Sequence, residues 1–376
     1  MSPITDGESL NKRQWILGLV VLAILAGFAY WGRDRIHFDF GLFRRQIALA
    51  DLRLIALATA CIYAAYVFRS ARWALLVRHS QKVRLLTLLG PQVIGFTAVA
   101  LIGRVADLVR PYLVARKTGL PVSSQIAVYI VERLLDMGSM ALIFSIAMFW
   151  VPADQIIRGT THAGVMAKLT HRSPELALLV VRYGGLVITL LGALFLVAVR
   201  LAGEKVAAFL EFGFGLISKN LGHAVGNKIR AFHSGLDTMR SFKDFIAAAA
   251  LSLTMWLLIS TAYFECCKAF VASPKLIAIT PPKCILLMVA SGGASIFQLP
   301  VIGWFSQIGL VAVALAAILG ASPEAATACG ATLLLVTFLS VIPVGLIWAQ
   351  FDHVNLRKVT VESEHAEDAI AAEGSE

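Results

Sequence analysis

The sequence predicts an all-α polytopic membrane protein, with about 7–9 membrane helices that include one or two short re-entrant segments, plus an amphipathic interfacial helix. Hydrophobic residues make up 58% of the 376 residues and charged residues only 15%, whereas an average soluble domain is roughly 25% charged. Apolar runs near the length of a membrane span recur along the whole chain. Strand-like alternation of apolar and polar residues, which would favour a membrane barrel, is absent from the sequence.

Seven apolar runs predict the helices that cross the membrane. They are Trp15–Trp31, Leu54–Phe68, Ser123–Trp150, Ala177–Val199, Phe245–Cys267, Ile308–Leu319 and Ala325–Trp348. The first run follows two basic residues but has no small-x-small cleavage site and closes on an aromatic pair. We therefore interpret it as a retained helix and not as a cleaved signal peptide.

Two short segments, Pro91–Gly103 and Ser291–Gly303, interrupt this pattern because each is bounded by glycine, proline or serine and is too short to cross as a straight helix. If the first segment dips in and returns, most basic residues fall on the same side as the amino terminus. The positive-inside tendency then predicts a cytoplasmic amino terminus and a re-entrant first segment. Interrupted segments in both halves of a chain also point to a transport site.

A stripe of apolar residues between the two halves predicts the amphipathic helix. Its members recur every three or four positions: Ile217, Leu221, Val225, Ile229, Phe232, Leu236 and Met239. The sequence leaves two placements open, on the cytoplasmic leaflet or packed on the helix bundle.

Charges within the run Ser123–Trp150 are the strongest functional signal. Glu132, Arg133 and Asp136 fall inside this apolar run, and each charge at the bilayer centre costs about 2.5–3.5 kcal/mol by insertion measurements. Glu132 and Asp136 share one helix face, and we expect them to meet Arg104 or Arg110 of the preceding segment. Such a cluster can be a structural ion-pair network, a phosphate site built by free arginines, or a proton relay.

The candidate binding residues combine this cluster with two amides of the second half. They are Arg104, Asp107, Arg110, Glu132, Arg133, Asp136, Gln298 and Gln307. We predict no catalytic residue, metal site or cofactor, because the sequence contains no H-E-x-x-H, P-loop or G-x-S-x-G motif. The five cysteines lie in apolar segments without C-x-x-C spacing, so we expect core residues and neither disulfides nor metal ligands.

Three stretches of the chain resemble the flippase-like transmembrane domain of lysylphosphatidylglycerol synthases. They are Gly103–Tyr112, Val131–Asp136, and Pro300–Gly303 leading to Gly320–Ala326. The resemblance covers roughly Trp15 to Gln350 and implies a bacterial-type inner-membrane protein with several spans. One departure is a neutral amide at Gln307, where many relatives carry glutamate.

The resemblance implies a lipid flippase or lipid-transport protein that moves a phospholipid or a polyprenyl/hopanoid-pathway lipid between leaflets, its phosphate held by Arg104 and Arg110. An alternative is a non-transporting accessory protein of a lipid or glycan assembly pathway. The expected partners are membrane lipids, either an anionic phospholipid or a lipid-linked intermediate, with a pathway enzyme as a further candidate and no nucleic acid. A lipid-modifying enzyme is a third class, for which no nucleophile is visible.

The resemblance also sets the predicted domain organisation. Residues 1–14 form a cytoplasmic amino terminus, residues 15–350 the flippase-like transmembrane domain, and residues 351–376 an acidic, disordered tail. The aminoacyltransferase domain of full-length relatives is absent from this sequence, so we do not expect the chain to synthesise an aminoacyl lipid by itself.

Overall fold

The protein is a bundle of helices throughout the part of the chain that the structure, a computed structural model, describes. This part comprises residues 38–78, 80–154, 156, 171–236, 242–294, 302–356 and 358–363. Five of its helices are long and apolar enough to cross a membrane. The predicted all-α polytopic membrane fold is thus confirmed, while residues 1–14 and the predicted helix Trp15–Trp31 lie outside the described residues.

The helices are named here in chain order. They are α1 (Phe40–Ala48), α2 (Leu52–Val77), α3 (Leu85–Ile102), a 3₁₀ helix (Arg104–Leu108), α4 (Val109–Thr118), α5 (Val122–Phe149), α6 (Pro174–Gly215), α7 (Lys219–Leu236), α8 (Phe242–Lys268), α9 (Pro274–Ile277), α10 (Pro281–Ala294), α11 (Ile302–Leu319), α12 (Pro323–Leu334), a π-helix (Leu335–Leu339) and α13 (Val341–Phe351). The candidate spans are Leu52–Val77, Leu85–Ile102, Pro174–Val199, Lys243–Lys268 and Pro323–Phe351.

Helix α2 is longer than the sequence predicted. The predicted run ended at Phe68, before the first arginine, but the helix continues to Val77. The prediction was wrong because it treated Arg69 and Arg72 as loop residues, whereas both are buried and paired with acids of α5. The residues after them, from Trp73 to Val77, are apolar and join the core, so helix formation continues through the charged turn.

Helices α3 and α4 form the hairpin that was predicted to start at Pro91. That start was wrong: α3 begins at Leu85 and contains Pro91, so its 18 residues are long enough to cross. Gly103 then adopts a φ of 95°, which favours glycine and ends the helix. Helix α4 runs back towards the start of α3, because both ends approach the same residue, Asp352. Its Oδ2 atom lies 2.7 Å from Lys117 Nζ at the end of α4 and 3.2 Å from a Cβ placed on Gly90 near the start of α3.

The predicted amphipathic helix is α7, and it packs on the bundle. Helix α6 departs from helical geometry at Ala202, and its second part packs against α7. There Glu211 of α6 pairs with Arg230 Nη2 and His223 Nδ1, both at 2.6 Å. Ile229 of α7 joins the core between α2 and α5, so of the two placements the packed one is observed. The predicted stripe member at position 239 lies outside the described residues.

The carboxy-terminal helices close the bundle against α1 and α3. Ser322 caps α12, and Glu324 in its first turn accepts a hydrogen bond from the backbone N–H of Asp39. After α13, residues 358–363 are helical and Val359 is buried against α3 and α4. Residues 364–376 lie outside the described part, so the predicted disordered tail stays a prediction.

The five cysteines are free, as predicted. Cys266, Cys267, Cys284 and Cys329 belong to the largest core cluster, and Cys61 packs against it. They act as small apolar side chains there.

Candidate functional site

Two arginines of α2 bind the two acids of α5 at the centre of the bundle. Arg72 Nη2 lies 2.7 Å from Glu132 Oε1, and its Nη1 lies 2.6 Å from Asp136 Oδ1. Arg69 Nη1 lies 3.1 Å from Glu132 Oε1 and 3.4 Å from Asp136 Oδ2. Each guanidinium therefore bridges both carboxylates, which a planar group with several donors does well.

Arg110 of α4 contacts one of these acids, Glu132, from the hairpin. Its Nη1 lies 3.2 Å from Glu132 Oε2 and donates to Gln92 Oε1 at 3.3 Å. The guanidinium carbon lies 4.5 Å from the centre of the Phe96 ring and 5.1 Å from that of Tyr129, within cation–π range. The predicted pairing of Arg110 is therefore observed with Glu132, and the Arg110 side chain is 0% exposed.

Glycine at position 95 makes room for this arginine. A Cβ on Gly95 would overlap Arg110 Cγ, with Cδ and Cβ of the same side chain close behind. The absence of a side chain there lets α3 and α4 approach closely enough for Arg110 to reach Glu132.

Arg133 follows Glu132 on α5 and lies at the edge of the cluster. Its Nη2 is 3.2 Å from Asp136 Oδ2, and its guanidinium carbon is 5.3 Å from the centre of the Tyr129 ring. The side chain is 37% exposed, so Arg133 is the most accessible of the four arginines that contact the acids in the described part of the chain.

A recess of about 230 Å³ lies beside the cluster and joins both halves of the molecule. Its charged wall is formed by Arg69, Asp107 and Arg133 of the amino-terminal half, and the carboxy-terminal half contributes a wall of neutral polar residues. The neutral residues are Tyr263, Ser291, Gln307 and Thr337. Arg72, Arg110 and the two acids lie behind the charged wall and do not line the recess.

The cluster and the charged wall together have more positive than negative groups among the described residues. Four guanidiniums, those of Arg69, Arg72, Arg110 and Arg133, share the carboxylates of Glu132 and Asp136. Asp107 adds a third carboxylate and has an interaction of its own. Among the described residues these four guanidiniums exceed the three carboxylates by one positive charge, and two of the four, Arg69 and Arg133, line the recess.

The structure brings most of the predicted site residues together. Arg110, Glu132, Arg133 and Asp136 form the cluster, and Asp107 and Gln307 line the recess. The backbone of Arg104 lies in the 3₁₀ helix next to the cluster, but its side chain and the whole of Gln298 lie outside the described residues.

Sequence reasoning missed Arg69 and Arg72. A signal was present, since they are three residues apart and therefore lie on one helix face. The apolar residues that follow, up to Val77, also continue the helical pattern without glycine or proline.

Comparison with known proteins supports the resemblance that the sequence motifs carried. No curated protein matches the chain. A family model described as the lysylphosphatidylglycerol synthase TM region matches residues 15–347, which include every described member of the cluster and of the recess. The match is to the transmembrane region of that family and includes no catalytic domain. The chain therefore belongs to the lysylphosphatidylglycerol synthase TM region family.

Proposed function

We propose that the protein is a lipid flippase or lipid transporter that moves a phospholipid or a polyprenyl/hopanoid-pathway lipid between leaflets. The observation that carries this proposal is the position of Arg69 and Arg133 at the recess, with the acids that neutralise them behind. Guanidinium groups match phosphate oxygens in two parallel hydrogen bonds. Membership of the family supports a lipid-handling membrane protein.

In this proposal two of the four arginines bind the lipid and the other two hold the acids. Arg69 and Arg133 contact the headgroup phosphate, and Glu132 and Asp136 hold these two guanidiniums in place. Arg72 holds both acids in place, and Arg110 holds Glu132. The expectation that Arg110 itself holds the phosphate is replaced, because Arg110 is fully buried and does not line the recess.

The recess suits a lipid headgroup because its walls combine charge with apolar surface. Phe96, Met140 and Trp256 line it together with the polar residues. A headgroup can enter the recess while its acyl chains stay in the bilayer, and a phosphate in a site of low dielectric gains more from a guanidinium than it does in water. We place the protein in a bacterial-type inner membrane with a cytoplasmic amino terminus, and propose an anionic phospholipid or a lipid-linked intermediate as its partner.

One observation favours the accessory function. Arg72 and Arg110 are 1% and 0% exposed, so that half of the cluster serves to tie α2 and the α3–α4 hairpin to α5. If the whole cluster had only this structural task, the protein would act by assembling with a pathway enzyme, and exchanging Arg133 would leave its function unchanged.

Transport by purified protein in liposomes tests the proposal. The liposomes contain phosphatidylglycerol with a fluorescent tail label, and the outward-facing label is bleached by a membrane-impermeant reductant. We expect Arg133→Gln to slow the exchange of label between leaflets about tenfold, the value of one lost charge-assisted hydrogen bond.

The matched control is Arg53→Gln, which makes the same exchange at an exposed position in the first turn of α2. It should exchange label as the parent does. A parent protein without transport, or equal rates in the parent and Arg133→Gln, would contradict the proposed function.

A further inference from the structure

Helix α6 continues beyond its candidate membrane span. The span Pro174–Val199 has 26 residues and is therefore about 39 Å long at 1.5 Å per residue. A hydrocarbon core of about 30 Å is crossed by such a helix even at a tilt of about 40°. Ala202 then leaves helical geometry, with a φ of −144° and a ψ of 43°. Residues 203–215, here called distal α6, therefore begin at the membrane boundary and not inside the hydrocarbon core.

Distal α6 lies beside the end of the bundle at which α2 ends. Val206 of distal α6 and Ile229 of α7 pack on one core cluster. That cluster contains Leu76 and Val77, the last two residues of α2. The hairpin of distal α6 and α7 is thus held against the bundle at the depth where the neighbouring helix α2 ends.

Helix α7 covers one face of distal α6 and pairs with its acids. Ala207 is fully buried, and a Cβ placed on Gly222 of α7 would lie 2.5 Å from the backbone oxygen of Glu211. Arg230 of α7 lies 2.6 Å from Glu211 Oε2 and 3.3 Å from Glu204 Oε2. Both carboxylates of distal α6 are therefore engaged by α7.

The opposite face of distal α6 carries a stripe of large apolar side chains. Phe209, Phe212 and Leu216 are 74%, 70% and 75% exposed, and their spacing of three and four residues places them on one helix face. Lys205, four positions before Phe209, is exposed on the same face, and Lys219 is exposed where α7 begins. An apolar face flanked by lysines is typical of helices that lie in a membrane interface.

We infer that distal α6 is an interfacial anchor, which inserts the stripe Phe209, Phe212 and Leu216 into the lipid surface of one leaflet. A lipid surface fits better than a protein partner, because the stripe follows directly on a span and starts at the membrane boundary. Lys205 and Lys219 can extend to the lipid phosphates while their apolar stems stay beside the stripe. In the orientation proposed above, this leaflet is the cytoplasmic one.

This lipid contact is separate from the recess. The residues found to line the recess in the described part of the chain include no member of distal α6 or α7. The inference therefore concerns how the protein is held in the bilayer, and it does not depend on the proposed transport.

Photolabelling of the parent protein in phosphatidylcholine liposomes tests the inference. The probe is a phosphatidylcholine with a diazirine on an acyl carbon near the glycerol, and mass spectrometry locates the label after digestion with trypsin. Cleavage at the basic residues yields residues 183–200 from the span, 206–219 with the stripe and 220–228 from α7. We expect a yield of label on 206–219 comparable to that on 183–200 and clearly above that on 220–228.

A double variant, Phe209→Gln with Phe212→Gln, removes the apolar surface of the stripe. Both side chains are largely exposed, so the exchange costs no core packing. The variant should lose most of the label on 206–219 and keep the label on 183–200. The matched control is Phe351→Gln, at the exposed phenylalanine that ends α13, and it should be labelled as the parent is.

Two results would overturn the inference. One is a parent protein with label on 183–200 and none on 206–219, which is decided without any variant. Disulfide-linked dimers of Phe212→Cys in the same liposomes, absent from the oxidised parent, would then identify a second copy as the occupant of the stripe. The other is equal labelling of 206–219 in the parent and in the double variant, since the lipid would then contact this peptide without the stripe.

Discussion

The four arginines around Glu132 and Asp136 form two pairs that differ in their surroundings. Arg72 and Arg110, the sealed arginines, are 1% and 0% exposed and lie behind the wall of the recess. Arg69 and Arg133, the recess arginines, contact the same acids but also line the recess. In the proposed function, this one ion-pair network fixes helices on its sealed side and offers charge to a ligand at the recess.

The two pairs should respond differently to mutation. A buried ion pair adds little net stability compared with an apolar pair, because desolvation offsets the attraction. Removing one partner is costly, since a buried charge then remains uncompensated. When a recess arginine is exchanged, the acids keep their sealed partners Arg72 and Arg110, so no buried charge is left without a partner. Sealed positions should therefore control folding, and recess positions should control function.

The largest effect is expected from Arg72→Met. Arg72 makes the shortest contacts of both acids, at 2.7 Å to Glu132 and 2.6 Å to Asp136, and donates to Ser252 Oγ, so its loss leaves both buried carboxylates without their best-placed partner. We expect the free energy of unfolding to fall by about 3–5 kcal/mol. Titration of the protein in mixed micelles with a denaturing detergent measures it, with Arg53→Met as the control. A loss under about 1 kcal/mol would mean that Arg72 is not needed to compensate the acids.

The next largest effect is expected at Gly95, which makes room for the other sealed arginine, Arg110. In Gly95→Ala the new methyl group overlaps Arg110 Cγ, so α3 and α4 must separate or Arg110 must leave Glu132. We expect a loss of about 1–3 kcal/mol, typical of overpacking, in the same titration. Gly192→Ala is the matched control because, among the described residues, an added Cβ there meets no atom within 4 Å beyond the neighbouring part of its own helix. Equal stability of the two variants would show that the hairpin adjusts without strain.

A recess arginine should matter much less for folding. In Arg133→Gln the acids keep Arg69, Arg72 and Arg110, and the exchanged side chain is already 37% exposed. We expect a change in unfolding free energy under about 1 kcal/mol, within the range of partly exposed ion pairs. A loss as large as that of Arg72→Met would remove the distinction between the two pairs.

The sequence predicted the acids of α5 and Arg110, but it did not predict the two arginines of α2. The acids of α5 and their pairing with Arg110 were predictable, because charges inside an apolar run need partners and Arg110 lies in the preceding segment. Arg69 and Arg72 were missed because they follow an apolar run and look like interfacial residues. Their burial depends on α8, whose Ser252 lies 180 positions further along the chain from Arg72.

Sequence patterns did not predict the start of α3 or the full set of residues that line the recess. Pro91 suggested a helix start, but it lies inside α3, since neighbouring helices in a bundle can satisfy the backbone group that proline frees. The neutral wall of the recess combines α8, α10, α11 and the π-helix. No local pattern brings these four elements together, so Gln307 was identified from its segment while Tyr263 and Thr337 were not.

The smallest effect is expected at an ion pair on the surface of the bundle. Glu211 lies outside the candidate spans, and its hydrogen bond from Arg230 holds the pKa of the carboxyl below its ordinary value of 4.5. Because the folded pKa is depressed, the stability that this pair contributes is present above about pH 4.5 and is lost as the pH falls through the lowered pKa. We expect Glu211→Gln to lower the thermal unfolding midpoint only slightly at neutral pH.

Acid titration of that midpoint, from about pH 6 to about pH 3, measures this contribution. The parent should lose stability faster than Glu211→Gln over the acid part of this range, and Glu175→Gln in the first turn of α6 should follow the parent. Parallel curves for the parent and Glu211→Gln would contradict a role of the pair in attaching α7 to α6. A small but clear difference would place this surface pair below the buried cluster in the same series. The cost of losing an arginine partner would then increase with the burial of the acid, from Glu211 to Glu132 and Asp136.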